Sequence, residues 1–156
     1  MKKLLILPIL FILSCSDDSK ASSTIPENPL NCSDNNQNNI ELWGNCYSIE
    51  ETIEISLSES NLSGEIPSEV GSLVNLTELV LNNNDLTGEI PLEIGSLTNL
   101  TRLNISSNLL TGGIPLEIAN LTNLKILQLD NNELRGGIPQ TVCDLCDLIN
   151  SNESDD

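Results

Sequence analysis

Apolar and polar positions along the chain follow a pattern of fixed length. Each block contains the tetrapeptide Gly-x-Ile-Pro, which stands at residues 64–67, 88–91, 112–115 and 136–139, always 24 residues after the previous copy. No insertion interrupts this period, and a regular period of about 20–50 residues is typical of a solenoid. We therefore expect stacked coils that bury one shared core.

The positions within one block predict how each coil folds. Leu79 and Leu81 occupy alternate positions, which predicts a short strand with both leucines directed inward. Strands stacked about 4.8 Å apart form a parallel β-sheet. An asparagine follows the strand, where its amide can satisfy backbone groups that no neighbouring strand reaches. We expect this asparagine ladder to be structural; its members are Asn84, Asn108 and Asn132.

Together these residues resemble the leucine-rich repeat, in the plant-type variant with L-x-G-x-I-P in the second half of the block. The resemblance covers residues 52–147 and implies a leucine-rich repeat solenoid, a short curved α/β-type coil of four 24-residue repeats. It implies a parallel β-sheet on the concave face and irregular or 3-10 structure on the convex side. Such arrays need about three or more repeats to bury a stable core, and we expect the stability of this one to depend on its ends.

Residues 32–51 are similar to the N-terminal cap of plant-type repeats. The similarity is carried by Cys32, Trp43 and Cys46, and it implies a disulfide between the two cysteines. We expect Trp43 to cover the first coil. The alternative is that Trp43 is a platform for a ligand.

The fourth repeat contains a C-x-x-C motif formed by Cys143 and Cys146. Such a motif can be a redox pair or a structural disulfide. Cys143 lies in register with Ala119, 24 residues earlier, and no strand-and-helix redox context surrounds the motif. We therefore favour a terminal disulfide. An acidic tail follows at residues 148–156.

The N-terminus has the layout of a secretory signal. Two lysines precede the apolar residues 4–13, a run too short to cross about 30 Å of hydrocarbon as a helix. The sequence around Cys15 resembles the lipobox of bacterial lipoproteins, which implies a signal peptide at 1–14 and lipidation of Cys15. The alternative is an ordinary signal peptide with an incidental cysteine. Residues 15–31 are polar and predict a lipid-anchored disordered linker.

Composition and charge narrow the function. The 156 residues include 23 Asp and Glu but only 6 Lys and Arg, for a formal net charge of −17. Nucleic-acid binding needs clustered cations and is excluded. The chain has no histidine, so it lacks the usual general base near neutral pH and the commonest metal ligand. We expect a protein that is not an enzyme and has no cofactor.

Strand positions between the inward leucines form the candidate binding face, on the concave sheet. Its residues are Glu54, Glu78, Val80, Asn82, Arg102, Asn104, Ile126, Gln128 and Asp130. The face is small, polar and without aromatic rings, so it lacks the large anchors of tight protein interfaces. We expect weak or multivalent binding, because many anchored copies raise the effective concentration.

A second set of residues in register is acidic: Glu69, Glu93 and Glu117. Stacking should place these carboxylates about 5 Å apart, where their repulsion in water is only about 0.8 kcal/mol. Solvated charge is the favoured interpretation, and no metal is expected. Ca²⁺ bridging the row is the weaker alternative, since carboxylates are suitable ligands.

These features predict a non-catalytic, surface-anchored recognition or adhesion module that binds a protein or glycan through the concave face. The resemblance to lipoproteins implies secretion and a lipid anchor in the bacterial outer membrane, at the cell surface. The alternative is a passive structural envelope lipoprotein with no specific ligand. A thiol enzyme at the C-x-x-C motif is the least favoured hypothesis, because the motif lacks the context of a redox domain.

Overall fold

The computed structural model describes residue 32 and residues 38–144. The predicted signal peptide, the lipidation site Cys15, the linker, Cys146 and the acidic tail lie outside these residues. The strands are β1 (Asn39–Leu42), β2 (Asn45–Ser48), β3 (Glu54–Ser56), β4 (Ser63–Glu65), β5 (Glu78–Val80), β6 (Asp85–Thr87), β7 (Arg102–Asn104) and β8 (Ile126–Gln128). The 3-10 helices are Ser68–Ser72, Leu92–Ser96 and Leu116–Asn120, and residues 140–144 are α-helical. No helix in the described part of the chain is long and apolar enough to cross a bilayer.

The N-terminal end is closed by an antiparallel hairpin of β1 and β2. Its two-residue turn is Trp43-Gly44, and both residues have positive φ, at 48° and 74°. Two positive φ values define the type I′ turn, whose twist matches that of paired strands. The disulfide between Cys32 and Cys46 is confirmed, with 5.7 Å between the Cα atoms. Trp43 is half-buried and packs against the hydrophobic core.

The predicted leucine-rich repeat solenoid and its parallel sheet are confirmed. This main sheet has four strands in the order β3-β5-β7-β8, which is also their order in the chain. The register follows the 24-residue period, so Leu79 lies between Ile55 and Leu103. All three side chains are buried, as the alternation predicted.

The 3-10 helices form the other side of each coil. The first begins directly after Pro67, whose φ is −64°, and ends where the Leu73 N–H donates to Val70 O at 3.1 Å. The same i to i−3 bond ends the other two 3-10 helices. Leu73 and its equivalents are fully buried, so each helix turns the chain back toward the core.

A second, smaller parallel sheet lies between the strand and the helix of each coil. β4 pairs with β6 in the register Ser63 to Asp85, and an isolated bridge joins Glu89 to Thr111. The offset is 22 residues rather than the 24 of the main sheet. This sheet was not predictable from an apolar pattern, because its short strands contain glycine and polar residues.

Two glycines mark the closest approach between neighbouring coils. A Cβ on Gly71 would lie 2.5 Å from Glu93 O, and one on Gly95 would lie 2.5 Å from Glu117 O. Since real Cβ atoms do not approach backbone oxygens this closely, a side chain at either position would push the coils apart. The acidic row is thus packed against the preceding coil through its backbone.

The asparagine ladder bonds each coil to the next. The Asn108 Nδ2 donates to Leu81 O at 3.0 Å in the preceding coil and to Ile105 O at 3.1 Å in its own. Its Oδ1 accepts from the Leu86 N–H at 3.1 Å. The asparagines 24 residues before and after it make the corresponding bonds. A side-chain amide thereby satisfies backbone groups that the main sheet does not reach.

Candidate binding face

Stacking brings the candidate residues into three rows that cross the main sheet. The rows are Glu54, Glu78, Arg102 and Ile126; Ser56, Val80, Asn104 and Gln128; and Ser58, Asn82, Ser106 and Asp130. Neighbours in one row are one strand apart, or about 4.8 Å. A ligand that lies across the strands would therefore meet one coil after another at a fixed spacing.

Two of the nine candidate residues are not available to a ligand. Val80 and Asn104 are only 9% and 6% exposed. Both lie on inner strands, where short side chains have neighbours on either side and sit below the longer ones around them. The equivalent residues on the outer strands, Ser56 and Gln128, are exposed. The expectation that Val80 and Asn104 contribute to an open binding surface is therefore corrected.

Hydrogen bonds within the face hold some polar groups in place. The Asn104 Oδ1 accepts from the Ser106 backbone N–H at 3.1 Å and from the Ser106 hydroxyl at 2.8 Å. The Ser58 hydroxyl donates to Asn82 Oδ1 at 2.8 Å. Asn104 is therefore structural. Asn82 is half-buried, and its Nδ2 is the group left for a ligand.

Charge is distributed unevenly along the first row. Glu54 and Glu78 are followed by Arg102, which lies directly beside Glu78 in the register of the sheet. The Arg102 Nε is buried and has no hydrogen-bond partner among residues 38–144. The side chain as a whole is only half-buried, so the rest of its guanidinium is the part that a ligand oxygen could reach.

The C-terminal end of the face is apolar at one position. Ile126 completes the row of Arg102 and is 40% exposed. Gln128 and Asp130 lie beyond it on the same strand and are exposed. The accessible face therefore offers one cation, carboxylates, amides and one aliphatic side chain.

Two further candidate sites lie outside the face, namely the acidic row and the C-x-x-C motif. Within residues 38–144, no three or more cysteine or acidic side chains are grouped so that they could hold a metal ion, and this includes the row of Glu69, Glu93 and Glu117. Cys143 is half-buried and is not disulfide-bonded to another described residue. Cys146 lies outside the described residues, so their pairing stays a prediction. Burial raises the pKa of Tyr47 above its usual value, but this phenol lies in the cap.

Sequence comparison supports the assignment of the repeats. Three stretches match the family described as Leucine Rich Repeat, at residues 75–97, 99–121 and 123–145. A search of curated proteins found no match. The three stretches begin 24 residues apart, in agreement with the period of the repeats, and each contains one strand of the main sheet.

Several solved structures share the fold. The crystal structure of the BIR3–SERK2 complex from Arabidopsis thaliana is 36% identical, with a TM-score of 0.59, and the match covers 61% of this chain and 51% of that one. The plant peptide hormone receptor RGFR1 in complex with RGF2 is 42% identical, with a TM-score of 0.60, over 61% of this chain and 15% of that one. A plant ice-binding protein is 38% identical, with a TM-score of 0.52, over 60% of this chain and 29% of that one.

The chain spans about half of the first of these structures and less than a third of the other two. The similarity is therefore to a run of repeats within larger proteins. The Cys32–Cys46 disulfide adds independent information, since such bonds persist in oxidising compartments outside the cytosol. The disulfide therefore agrees with a chain that folds in such an oxidising compartment.

Proposed function

We propose that this chain is a non-catalytic recognition module that binds an extended peptide or protein segment through the accessible part of the candidate face. The observation that carries the proposal is the half-buried guanidinium of Arg102, the one cation on a face that is otherwise acidic or neutral. A peptide carbonyl or carboxylate oxygen is the natural acceptor for this group. A glycan is less favoured, because the face has no aromatic ring on which a sugar could stack.

The comparisons support a protein or peptide ligand. Two of the similar structures are, by their titles, a protein complex and a receptor bound to its peptide hormone. Fold alone does not fix function, so the proposal depends on this chain's own face. The small number of accessible groups supports modest affinity for a single copy, with display of many copies compensating.

The binding test starts from a peptide library displayed against the immobilised full chain. A peptide enriched on it is then measured by calorimetry against Arg102→Glu and Glu78→Gln. We expect Arg102→Glu to weaken binding at least about tenfold, or about 1.4 kcal/mol, since it removes the donor and adds repulsion. Glu78→Gln should change affinity less, because it only alters the charge beside the donor.

Arg135→Glu is the matched control, since Arg135 is exposed, makes the same charge change and lies outside the main sheet. Equal weakening by Arg102→Glu and Arg135→Glu would mean that the peptide responds to overall charge and not to the face. If no peptide is enriched, the passive envelope lipoprotein becomes the better hypothesis.

The proposal includes secretion and lipid anchoring at Cys15 in a bacterial outer membrane, with the repeats at the cell surface. The lipobox-like sequence and the disulfide in the cap support it. Labelling cells with a fatty-acid analogue tests it, because Cys15→Ser should abolish the label. Protease treatment of intact and lysed cells then distinguishes the surface from the periplasm, since only surface repeats are cleaved before lysis.

The similarity to an ice-binding protein does not favour that activity here. The second sheet exposes a threonine at position 87 but surrounds it with the carboxylates of Glu65, Asp85 and Glu89. Such a surface is strongly charged, with no uninterrupted array of hydroxyl groups. Measuring thermal hysteresis in a solution of the purified chain checks this, and we expect none.

A further inference from the structure

β8 ends the main sheet, and its outer edge has no partner among residues 38–144. The equivalent edge of the preceding strand, β7, bonds to β8. There the Ile105 N–H donates to Gln128 O at 3.0 Å, and Thr101 O accepts from the Lys125 N–H at 2.7 Å. The equivalent groups in the last coil are the Leu129 N–H and Lys125 O. An unpaired edge of this kind is a template for another strand.

The direction of these backbone N–H and C=O groups determines how a further strand could pair with β8. Backbone groups alternate sides along a strand, so Leu127, between Lys125 and Leu129, directs both its N–H and its C=O outward. A second β8 running antiparallel and centred on Leu127 would match every outward group. Leu127 of each copy would exchange two hydrogen bonds, and each Leu129 N–H would meet Lys125 O of the second copy.

We propose that two copies of this chain associate through their β8 edges as a two-fold symmetric dimer, which joins the two main sheets into one of eight strands. The inference is independent of the ligand of the candidate face. Two-fold dimers are the commonest symmetric assemblies, and they need a surface that is complementary to itself. The outward groups of β8 meet that requirement.

Exposed apolar side chains at the same end support this assembly. Ile138 is 58% exposed, whereas its equivalent Ile90 is 4% exposed. Leu127, Leu129 and Leu134 are half-buried, although the corresponding residues of the two preceding coils are fully buried. A second copy placed against β8 would cover part of this surface.

The charge distribution favours contact at this end over any other. Residues 38–97 contain 11 acidic residues and no Lys or Arg, whereas residues 98–144 contain 4 acidic residues and 3 cations. The C-terminal half stays the less acidic one when the 4 acidic residues of 145–156 are included. In the antiparallel register Lys125 lies opposite Leu129 of the second copy and Ile126 lies opposite Gln128, so no like charges directly oppose each other across the strand pair.

Sedimentation equilibrium of the full chain, purified in a mild detergent, tests the dimer. We expect a concentration-dependent monomer–dimer equilibrium. Ile126→Glu/Gln128→Glu should raise the dissociation constant at least about tenfold, because it places like charges directly opposite each other twice in a symmetric dimer. Ile126→Glu/Gln128→Lys should restore the dissociation constant to within about twofold of the original, because the facing positions then carry opposite charges.

The exposed Arg135 provides the control, because Arg135→Glu makes the same change in net charge in the same coil but away from β8. It should shift the equilibrium much less than Ile126→Glu/Gln128→Glu does. Far-UV circular dichroism verifies that each variant is folded. A chain that stays monomeric at all concentrations overturns the proposal. So does equal weakening by Arg135→Glu and by Ile126→Glu/Gln128→Glu, which would show that association responds only to net charge.

Discussion

Replacing Asn108 by alanine tests whether the asparagine ladder holds the coils together. Asn108 is 6% exposed, and its amide contacts backbone groups of two coils. Two of the carbonyls keep another donor after the change. Leu81 O still accepts from Asn84 Nδ2 at 2.8 Å, and Ile105 O from Asn132 Nδ2 at 3.0 Å.

The group that loses its partner is the Leu86 N–H, whose bond to Asn108 Oδ1 is 3.1 Å long. An unsatisfied buried donor costs about 1–3 kcal/mol, and each lost bond to a carbonyl adds about 0.5–1.5 kcal/mol. The lost bonds to the two carbonyls that keep another donor contribute less than this. We therefore expect Asn108→Ala to lower the free energy of unfolding by about 3 kcal/mol. That is a large fraction of the 5–15 kcal/mol typical of a domain.

Urea denaturation followed by circular dichroism and by the fluorescence of the single tryptophan measures this change. Asn99→Ala is the control, because Asn99 is exposed and makes one bond, from Nδ2 to Val74 O at 2.9 Å. It should cost under about 1 kcal/mol. Equal losses in the two variants, or a loss under about 1 kcal/mol for Asn108→Ala, would refute the reasoning.

Three further predictions concern the packing of the coils, the cap and the phenol of Tyr47. Gly95→Ala should destabilise the chain by about 1–3 kcal/mol through its clash with the next coil, while Gly137→Ala, which meets nothing within 4 Å, should be nearly neutral in the same urea assay. Cys46→Ser should lower the free energy of unfolding by about 3 kcal/mol, and reducing the native protein should do the same. Because burial raises the pKa of Tyr47, its phenol favours the folded state below pH 10, and stability should fall as the pH rises above that value. Absorbance at 295 nm should show the phenol titrating at higher pH in the native chain than in urea, and equal midpoints would contradict this.

The main sheet was predictable because one residue pattern decides it. Leu79 and its equivalents must face inward in every coil, and a constant period leaves only one register for stacking. The Cys32–Cys46 disulfide came from resemblance to a cap and not from physical reasoning, since cysteine spacing alone does not fix connectivity.

The second sheet escaped prediction because its strands do not show an apolar alternation of their own. In β4, Ser63, Gly64 and Glu65 are all exposed, and the pairing depends on backbone bonds such as the Asp85 N–H to Leu62 O at 2.8 Å. The signal that could have found it is the Gly at positive φ, such as Gly64 or Gly88, in every block. A fixed backbone shape repeated in register brings the same groups of neighbouring coils together.

The binding face was predicted by position but not by accessibility. Alternation shows which side of a strand a residue faces, and it placed Val80 and Asn104 correctly on the concave side of the main sheet. It does not show how far the neighbours cover them. That depends on whether a strand is inner or outer, as the exposed equivalents Ser56 and Gln128 demonstrate.

The difference between inner and outer strands also separates the polar residues that stabilise the fold from those that can bind a ligand. On the inner strands, polar side chains are used to hold the structure, as Asn104 does through its two bonds to Ser106. The groups that can still bond to a ligand are long side chains such as Arg102, which rise above this layer, and residues on the outer strands. Since the described residues form a main sheet of four strands, half of these strands are outer ones. A short array therefore exposes more of its chemistry per coil than a long one, and its end at β8 becomes a surface as important as its face.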